Sequence, residues 1–348
     1  MRLRTVLATV TAGLAAATCL TAAGPAAART APPAQAAPPA NACSSTVAVE
    51  RFSDALDKTT YQGTFVGNFS ALAVDRDGSF AAVSDRSALF SLDRRTLQPR
   101  AVRQLADESG AALDSEGLVV DRDGTYLVSS ETEPSVRRYS RDGRVLDRLP
   151  VPDALRVAPA GRAAVNGTFE GLTLFRGGRT LAASMEYALS GDSAGTVRVQ
   201  TWRRAADGRF GLSAQYAYRA DPGLGVPEIT AIPDGRLLVL ERGFTSGVGN
   251  TVRLYVADPR HATDTAGIAY LTGQDGVRPM RKTLLADLVD CPDLGATAKQ
   301  PQPNPLLDNI EAMAVTGRTK DRLDVLLASD DNQNAAQTTR LYALRVRL

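Results

Sequence analysis

The sequence predicts an all-β protein, a β-propeller of four-stranded blades. Three observations support this fold class. One hairpin pattern recurs at long intervals, short apolar runs of strand length are bounded by turn residues, and convincing helical periodicity is absent. The clearest hairpin spans residues 114–131, where two apolar strands flank a turn at residues 121–124. Its Asp-Gly pair favours the positive φ angles of a two-residue hairpin turn.

The hairpin pattern occurs five times along the chain. Its copies are residues 70–85, 114–131, 170–186, 228–241 and 311–330. A long-period repeat of strand hairpins is typical of a radial array, in which each repeat supplies one blade.

Each repeat is extended by further short strands, taken here in chain order. The first repeat is predicted to contain strands at residues 71–75, 80–84, 88–92 and 101–105. The second contains residues 117–121, 126–130, 136–140 and 145–149. The third contains residues 172–175, 180–183, 196–203 and 212–219. The fourth contains residues 229–232, 237–240, 251–257 and 282–285. The fifth contains residues 311–315, 324–328 and 340–347.

The fifth repeat is one strand short, and a spare strand is predicted near residues 47–51. We therefore expect the N-terminal strand to close the ring, which protects the edges of the sheets. The pattern leaves room for a sixth, degenerate blade. Residues 259–281 and 291–309 are rich in loop-forming residues and are predicted to be long loops, with a turn or two of helix near residues 282–290.

Residues 1–28 have the pattern of a secretory signal peptide. Arg2 and Arg4 form a short basic region, residues 5–23 are apolar, and residues 26–28 form an A-x-A cleavage site. The alternative is a transmembrane anchor, but a run so rich in Ala is only weakly apolar. We expect the mature protein to be secreted.

The mature chain is predicted to begin near Arg29 with an Ala/Pro-rich leader, residues 29–42, followed by one domain, residues 43–348. The formal charge of the 348-residue chain is only +2. This balance disfavours nucleic acid as a partner. We expect a monomer with no membrane association in the mature form.

The cysteines predict one disulfide. The chain contains three cysteines, of which Cys19 leaves with the signal peptide. Cys43 and Cys291 remain, and an even pair in an exported chain is expected to be oxidised. The alternative is two unpaired thiols.

Acidic residues recur at both ends of the hairpins. The start of a hairpin's first strand and the end of its second strand lie at the same edge, so these acids are expected to meet at one channel mouth. The predicted group is Glu116, Glu170, Glu228 and Glu311 from strand starts, and Asp85, Glu131, Glu186, Glu241 and Asp330 from strand ends.

So many carboxylates at one place raise each other's pKa or require a cation. Oxygen ligands without His or Cys favour Ca²⁺, so calcium is the predicted cofactor and all nine acids are candidate ligands. The alternative is a structural latch, in which each acid accepts hydrogen bonds from backbone N–H groups of the neighbouring blade.

The motifs around these acids carry a family resemblance. S-E-G-L at 115–118, F-E-G-L at 169–172 and N-I-E-A-M at 309–313 each open a strand, and S-S-E, S-M-E and S-D-D end the partner strands. The chain resembles the phytase-like family, described as "esterase-like activity of phytase", and is similar in kind to β-propeller phytases. That resemblance implies several Ca²⁺ ions in an acidic channel mouth and hydrolysis of phosphate monoesters.

On this resemblance, the candidate catalytic residues are Glu116, Glu170, Glu228 and Arg242. The chain departs from the expected pattern at Ser70, where the first repeat lacks a Glu. Lys is rare, so phosphate binding would fall to Arg86, Arg242 or Arg340.

A competing motif, Gly191-Asp-Ser-Ala-Gly195, fits the nucleophile elbow of serine hydrolases. The elbow requires a strand before Ser193 and a helix after it, and the sequence predicts a strand after it instead. His261 is the one histidine of the chain and follows Ser193. A hairpin loop explains the motif better.

Two functions remain open on the sequence alone. The first is a secreted, calcium-dependent hydrolase. Its substrate would be a small-molecule ester of phosphate or of another acid. The second is a non-catalytic propeller that binds a ligand or protein and holds a structural Ca²⁺, since propellers host many functions.

Overall fold

A computed structural model describes residues 40–273 and 276–348, and these residues form a β-propeller. Within them, five four-stranded sheets, the blades, are arranged around a central channel. The predicted fold class is confirmed, and the described part of the chain contains no sixth blade.

The strands are numbered in chain order. The chain begins with β1 (Val47–Ser53), β2 (Thr59–Tyr61) and β3 (Thr64–Val66). The first blade consists of β4 (Phe69–Val74), β5 (Phe80–Ser84), β6 (Ala88–Leu92) and β7 (Pro99–Gln104). The second consists of β8 (Ser115–Val120), β9 (Tyr126–Ser130), β10 (Ser135–Tyr139) and β11 (Val145–Arg148). The third consists of β12 (Phe169–Leu174), β13 (Thr180–Met185), β14 (Thr196–Arg204) and β15 (Phe210–Arg219).

The remaining two blades follow. The fourth consists of β16 (Gly225–Ala231), β17 (Leu237–Thr245), β18 (Gly249–Asp258) and β19 (Arg281–Asp287). The fifth consists of β20 (Ile310–Arg318), β21 (Arg322–Ser329), β22 (Leu341–Arg347) and β1. Two short 3-10 helices occupy Asp153–Leu155 and Leu288–Asp290.

The N-terminal strand closes the ring as predicted. β1 pairs antiparallel with β22, with Val47 opposite Val346. The last blade is therefore built from both ends of the domain, so no blade edge is left open at the junction.

Two local features differ from the prediction. The hairpin of β2 and β3 was not predicted, because each strand is only three residues long and carries no alternating apolar pattern. The helical turn expected near residues 282–290 is confined to Leu288–Asp290, because residues 281–287 form strand β19.

The hairpin turn of the second blade is one residue longer than expected. The backbone N–H of Asp121 donates to the carbonyl of Thr125 over 2.8 Å, which leaves a three-residue loop between them. The N–H of Gly124 donates to the carbonyl of Asp121, and Gly124 has a φ of 88°. This is a type I turn followed by a left-handed residue, a geometry that glycine adopts at low cost.

The first strands of all five blades line the channel, which encloses about 200 Å³. Neighbouring first strands approach so closely that a side chain would not fit between them. A Cβ atom on Gly117 would lie 2.4 Å from Cβ of Leu172, and one on Gly171 would lie 2.4 Å from the backbone nitrogen of Ile229. The Gly of each E-G-L motif is thus required by this close approach.

The apolar core lies between neighbouring blades rather than at the centre. The largest cluster joins side chains of the second, third and fourth blades. In it the rings of Phe169 and Trp202 lie 5.8 Å apart, edge to face, and Trp202 Nε1 donates to the carbonyl of Pro150. This packing fixes each blade against the next.

The predicted disulfide is present. Cys43 and Cys291 are bonded, and their Cα atoms lie 3.9 Å apart. The bond ties the residues just before β1 to the loop between β19 and β20, so it anchors the strand that closes the ring.

The predicted signal peptide, Cys19 and most of the leader lie outside the described residues. In the part of the chain that the structure describes, no helix is long and apolar enough to cross a membrane.

Candidate functional site

A β-bulge opens the first strand of every blade at the same place. In the second blade, Ser115 lies opposite Ser130 and Leu118 opposite Val128, so two residues face one on the partner strand. The same shift occurs in the other four blades. A bulge changes the direction in which side chains at the end of a strand point. Here the affected residues include Glu116 and the residues at the same position in the other blades.

Two groups of carboxylates meet at this channel mouth. Carboxylate oxygens of Asp114, Glu116 and Glu131 lie within 4.8 Å of one another, and those of Glu131, Glu170 and Glu186 do the same. Glu131 belongs to both groups. We call the set of Asp114, Glu116, Glu131, Glu170, Glu186 and Glu311 the acidic cluster.

Burial and mutual repulsion raise the pKa values of the acidic cluster. Burial lifts the pKa of Glu116 well above its usual range, and the nearby charge of Glu311 adds to this. Glu170 is raised in the same way, by burial and then by Glu116. The pKa values of Glu131 and Glu186 rise to about 7, mainly because both are buried. Each of these carboxylates is therefore costly to ionise unless positive charge is supplied.

One guanidinium reaches into the acidic cluster. Nη2 of Arg242 lies 3.4 Å from Oε1 of Glu186 and hydrogen-bonds to Oε1 of Glu311. Its Nε is buried and has no hydrogen-bond partner among the described residues. Arg242 thus keeps one donor beyond those it uses on Glu186 and Glu311.

Asp85 and Asp330 lie at the edge of the acidic cluster, as expected. Burial and the charge of Glu311 raise the pKa of Asp330 well above its usual range. Burial also raises the pKa of Asp85, although Asn68 Nδ2 donates to Oδ1 of Asp85 over 2.8 Å. Both aspartates are therefore costly to ionise beside Glu311, like the members of the acidic cluster.

Glu241 was expected at the mouth, but the structure does not bring it there. Its carboxylate accepts hydrogen bonds from Tyr218 Oη, the backbone N–H of Asp221 and Lys282 Nζ. The reason is the position of Glu241 relative to the turn of its hairpin. The pair next to this turn is Ala231 with Leu237, which corresponds to the pair Val120 with Tyr126 in the second blade. Counting from these pairs, Arg242 and not Glu241 is the counterpart of Glu131.

Glu228 also lies apart from the acidic cluster. Counting from the same pairs, it corresponds to Gly117, and its side chain lines the channel. Its Oε1 accepts the backbone N–H of Ile229 in its own strand over 2.8 Å, and the backbone N–H of Leu172 in the neighbouring third blade also favours the charged carboxylate. Burial raises the pKa of Glu228 well above the usual range. For this acid the structure supports the latch alternative.

Of the three candidate arginines, only Arg242 enters the acidic cluster. Arg340 is buried and holds Asp54 and the carbonyls of Pro305 and Leu306, so it is structural. Arg86 lies beside Asp85, with Nε 3.7 Å from Oδ2 and most of its side chain exposed.

The sequence reasoning missed Asp114 and Asn309. Each stands two residues before a predicted strand-start Glu, and alternation along a strand places residues at this spacing on one face. Asn309 Nδ2 donates to Oε1 of Glu311 over 3.0 Å. The pattern Asp/Asn-x-Glu at both sites was the signal that could have revealed them.

The nucleophile elbow is not formed. Ser193 lies in the loop between β13 and β14, and the described residues contain no α-helix to follow it. The backbone N–H of Ser193 donates to Leu271, which fixes the loop against its neighbour.

The acidic cluster fits a hard divalent cation. All its ligand atoms are carboxylate oxygens, six carboxyl groups face one guanidinium within the described residues, and two subsets bring oxygens within 4.8 Å. Ca²⁺ and Mg²⁺ take such ligands, and Ca²⁺ tolerates irregular, carboxylate-rich sets best. A bound cation would offset the repulsion that raises these pKa values.

Comparison with known proteins gives one family match. The model of the Phytase-like family, described as "Esterase-like activity of phytase", matches residues 64–333, which is more than half of the chain. An "Uncharacterized secreted protein" of Arthroderma benhamiae is 28% identical over 180 residues, covering 39% of this chain and 35% of that protein. The chain thus spans about a third of the length of this curated relative.

Solved propellers are more distant. A gluconolactonase from Xanthomonas campestris has a TM-score of 0.41 and 16% identity, covering 82% of this chain and 73% of the other. Glutaminyl cyclase from Myxococcus xanthus has a TM-score of 0.43 and 14% identity, covering 87% of this chain and 97% of the other. Likenesses this weak carry no weight for the activity of this chain.

Proposed function

The chain belongs to the phytase-like family, and from this premise we propose that it is a secreted hydrolase of phosphate esters that acts at the acidic cluster with bound Ca²⁺. The observation that supports the proposal most is Arg242, a guanidinium with an unused donor placed among buried carboxylates. Arg242 pairs with Glu186 and Glu311, and its Nε is a further donor that a structural metal site alone does not explain.

Glu116, Glu131, Glu170 and Glu186, with Asp114, are the residues that would hold the cation. When bound, a divalent cation supplies positive charge to the phosphate oxygens and acidifies a water molecule. Arg242 would donate to a second phosphate oxygen and orient the ester. As the new P–O bond forms, a cluster carboxylate accepts the proton that the water loses. The ester P–O bond breaks, and the departing alkoxide takes a proton from solvent and leaves as the alcohol.

Secretion is part of the proposal. It is supported by the signal pattern of residues 1–28, by the disulfide of the mature domain and by the name of the Arthroderma relative. We expect the exported protein to begin near Arg29, and intact-mass spectrometry of culture supernatant checks this. A cytoplasmic protein that retains Met1 would contradict it.

Arg242 gives the sharpest test of hydrolysis. Arg242→Lys keeps the positive charge but loses the planar guanidinium, which can donate two parallel hydrogen bonds. We therefore expect kcat/KM for 4-nitrophenyl phosphate to fall about 10²- to 10³-fold. Wild-type activity should also disappear with EDTA and return with Ca²⁺. Arg86→Lys, at the exposed arginine near the mouth, is the matched control and should keep nearly full activity.

The melting temperature of Arg242→Lys in Ca²⁺ separates loss of function from loss of fold. A variant that folds and remains fully active would contradict the role of Arg242. A wild-type protein that binds Ca²⁺ but hydrolyses no phosphate ester would support the non-catalytic alternative.

A further inference from the structure

Tyr187 lies directly beside the acidic cluster, in a space that two glycines create. A Cβ atom on Gly225 would lie 2.9 Å from Cε1 of Tyr187 and 2.8 Å from Oε1 of Glu186. A Cβ atom on Gly167 would lie 3.1 Å from Cδ2 of the same ring. Neither glycine has a positive φ, so each gives space to its neighbours: Gly167 to the ring of Tyr187, and Gly225 to both Tyr187 and Glu186.

The ring of Tyr187 packs against two glycines, yet the residue remains partly exposed to solvent. The residue is 40% exposed, although its ring packs against both glycines. An aromatic face is therefore offered to a ligand at the edge of the acidic cluster.

A second exposed aromatic side chain lies on the same strand as Arg242. Phe244 follows Arg242 by two residues in β17, and the pairing with β18 runs without a bulge from Leu237 to Thr245. Alternation therefore places Phe244 on the same face of the strand as Arg242. Its side chain is 54% exposed, which is unusual for Phe in a soluble domain.

Few positive charges are available for a polyanionic substrate. Arg242 is the one cation that hydrogen-bonds into the acidic cluster among the described residues, and Asp85 and Asp330 add negative charge at its edge. One bound phosphate group can be neutralised here by Arg242 and a cation. Each further phosphate on the same molecule would need a further bound cation, because the side chains around Arg242 are carboxylates.

We infer that the substrates are monoesters with a single phosphate and an aromatic alcohol, whose ring stacks on Tyr187 and Phe244. This inference rests on the proposed function, since it assigns the phosphate to Arg242 and the cation. Tyr187 and Phe244 are then specificity-determining residues, which hold the leaving group while the phosphate is bound.

The test compares two phosphonates that cannot be hydrolysed, using calorimetry on the Ca²⁺-loaded protein. Phenylphosphonate should bind at least about tenfold more tightly than methylphosphonate, because only the former can stack. Tyr187→Ala should remove most of this difference and leave the affinity for methylphosphonate unchanged, whereas Tyr187→Phe should retain it.

Leu212→Ala is the control, because Leu212 is an exposed apolar residue on the outer strand β15. Equal binding of the two phosphonates, or an undiminished preference in Tyr187→Ala, would overturn the inference and leave the proposed function intact. Binding of neither phosphonate would contradict both. Phenyl phosphate hydrolysis by Tyr187→Ala should show a raised KM with kcat little changed, a split that a merely structural tyrosine would not produce.

Discussion

Without a bound cation, the protein is expected to lose stability as the pH rises from about 4.5 to about 7. The pKa values of Glu131 and Glu186 are raised from about 4.5 to about 7 in the folded protein. Between these values the folded state binds more protons than the unfolded state, so the free energy of unfolding decreases with increasing pH. Above pH 7 both states are ionised and the loss is complete. For the two groups together the effect is on the order of several kcal/mol.

Urea denaturation in EGTA at pH 5.5 and pH 7.5 measures this loss. Glu131→Gln with Glu186→Gln removes both titrating groups, so the difference between the two pH values should shrink markedly. Glu50→Gln is the control, because Glu50 is exposed and lies outside the acidic cluster. A metal-free wild type that is equally stable at both pH values would contradict the raised pKa values of Glu131 and Glu186 in the folded protein.

Removal of the disulfide is expected to destabilise the protein by about 4 kcal/mol, through the unfolded state. Cys43 and Cys291 are 248 residues apart, so the bond closes a loop that contains about seven-tenths of the 348-residue unfolded chain. It also anchors β1, whose pairing with β22 completes the fifth blade. Cys43→Ser with Cys291→Ser should therefore lower the melting temperature by on the order of 10 °C.

Differential scanning calorimetry with and without dithiothreitol provides the internal control. Reduction should lower the melting temperature of the wild type to that of the double Ser variant and leave the variant itself unchanged. A double variant as stable as the oxidised wild type would show that the ring closes without the covalent tie.

The fold could be predicted because its signals are local. Each hairpin carries its own turn residues, such as Asp121 and Gly124, and its own apolar strands, and repetition along the chain then indicates a radial array. The missing fourth strand of the last blade identified β1 as the closing strand for the same reason. The hairpin of β2 and β3 escaped prediction because three-residue strands leave too few positions for a pattern.

The candidate site could be predicted only in part, because it depends on how many residues separate each acid from the turn of its hairpin. Glu116, Glu131, Glu170, Glu186 and Glu311 are brought together as expected. In the fourth blade the acidic residues are displaced by one position relative to the other hairpins. A one-residue shift turns a side chain to the opposite face of a strand, so Glu241 meets Lys282 while Arg242 enters the acidic cluster.

Tyr187 could not be found from local sequence for a different reason. Its place is set by Gly167 and Gly225, which are distant in sequence and meet only when the third and fourth blades pack. Neither glycine carries a turn signal that points to an aromatic partner. Such complementarity between blades is visible in the folded protein alone.

The most direct measurement for the central claim is the calcium-dependent shift in stability of Glu116→Gln with Glu170→Gln. These changes remove two buried charges from the acidic cluster at nearly constant shape. Ca²⁺ at about 100 times Kd should stabilise the wild type by roughly 2.7 kcal/mol. The double variant should fold and lose most of that gain, whereas Glu50→Gln with Asp153→Asn, at two exposed acids, should keep it. A double variant that retains the full calcium shift, or a wild type that shows none, would contradict a cation site in the acidic cluster.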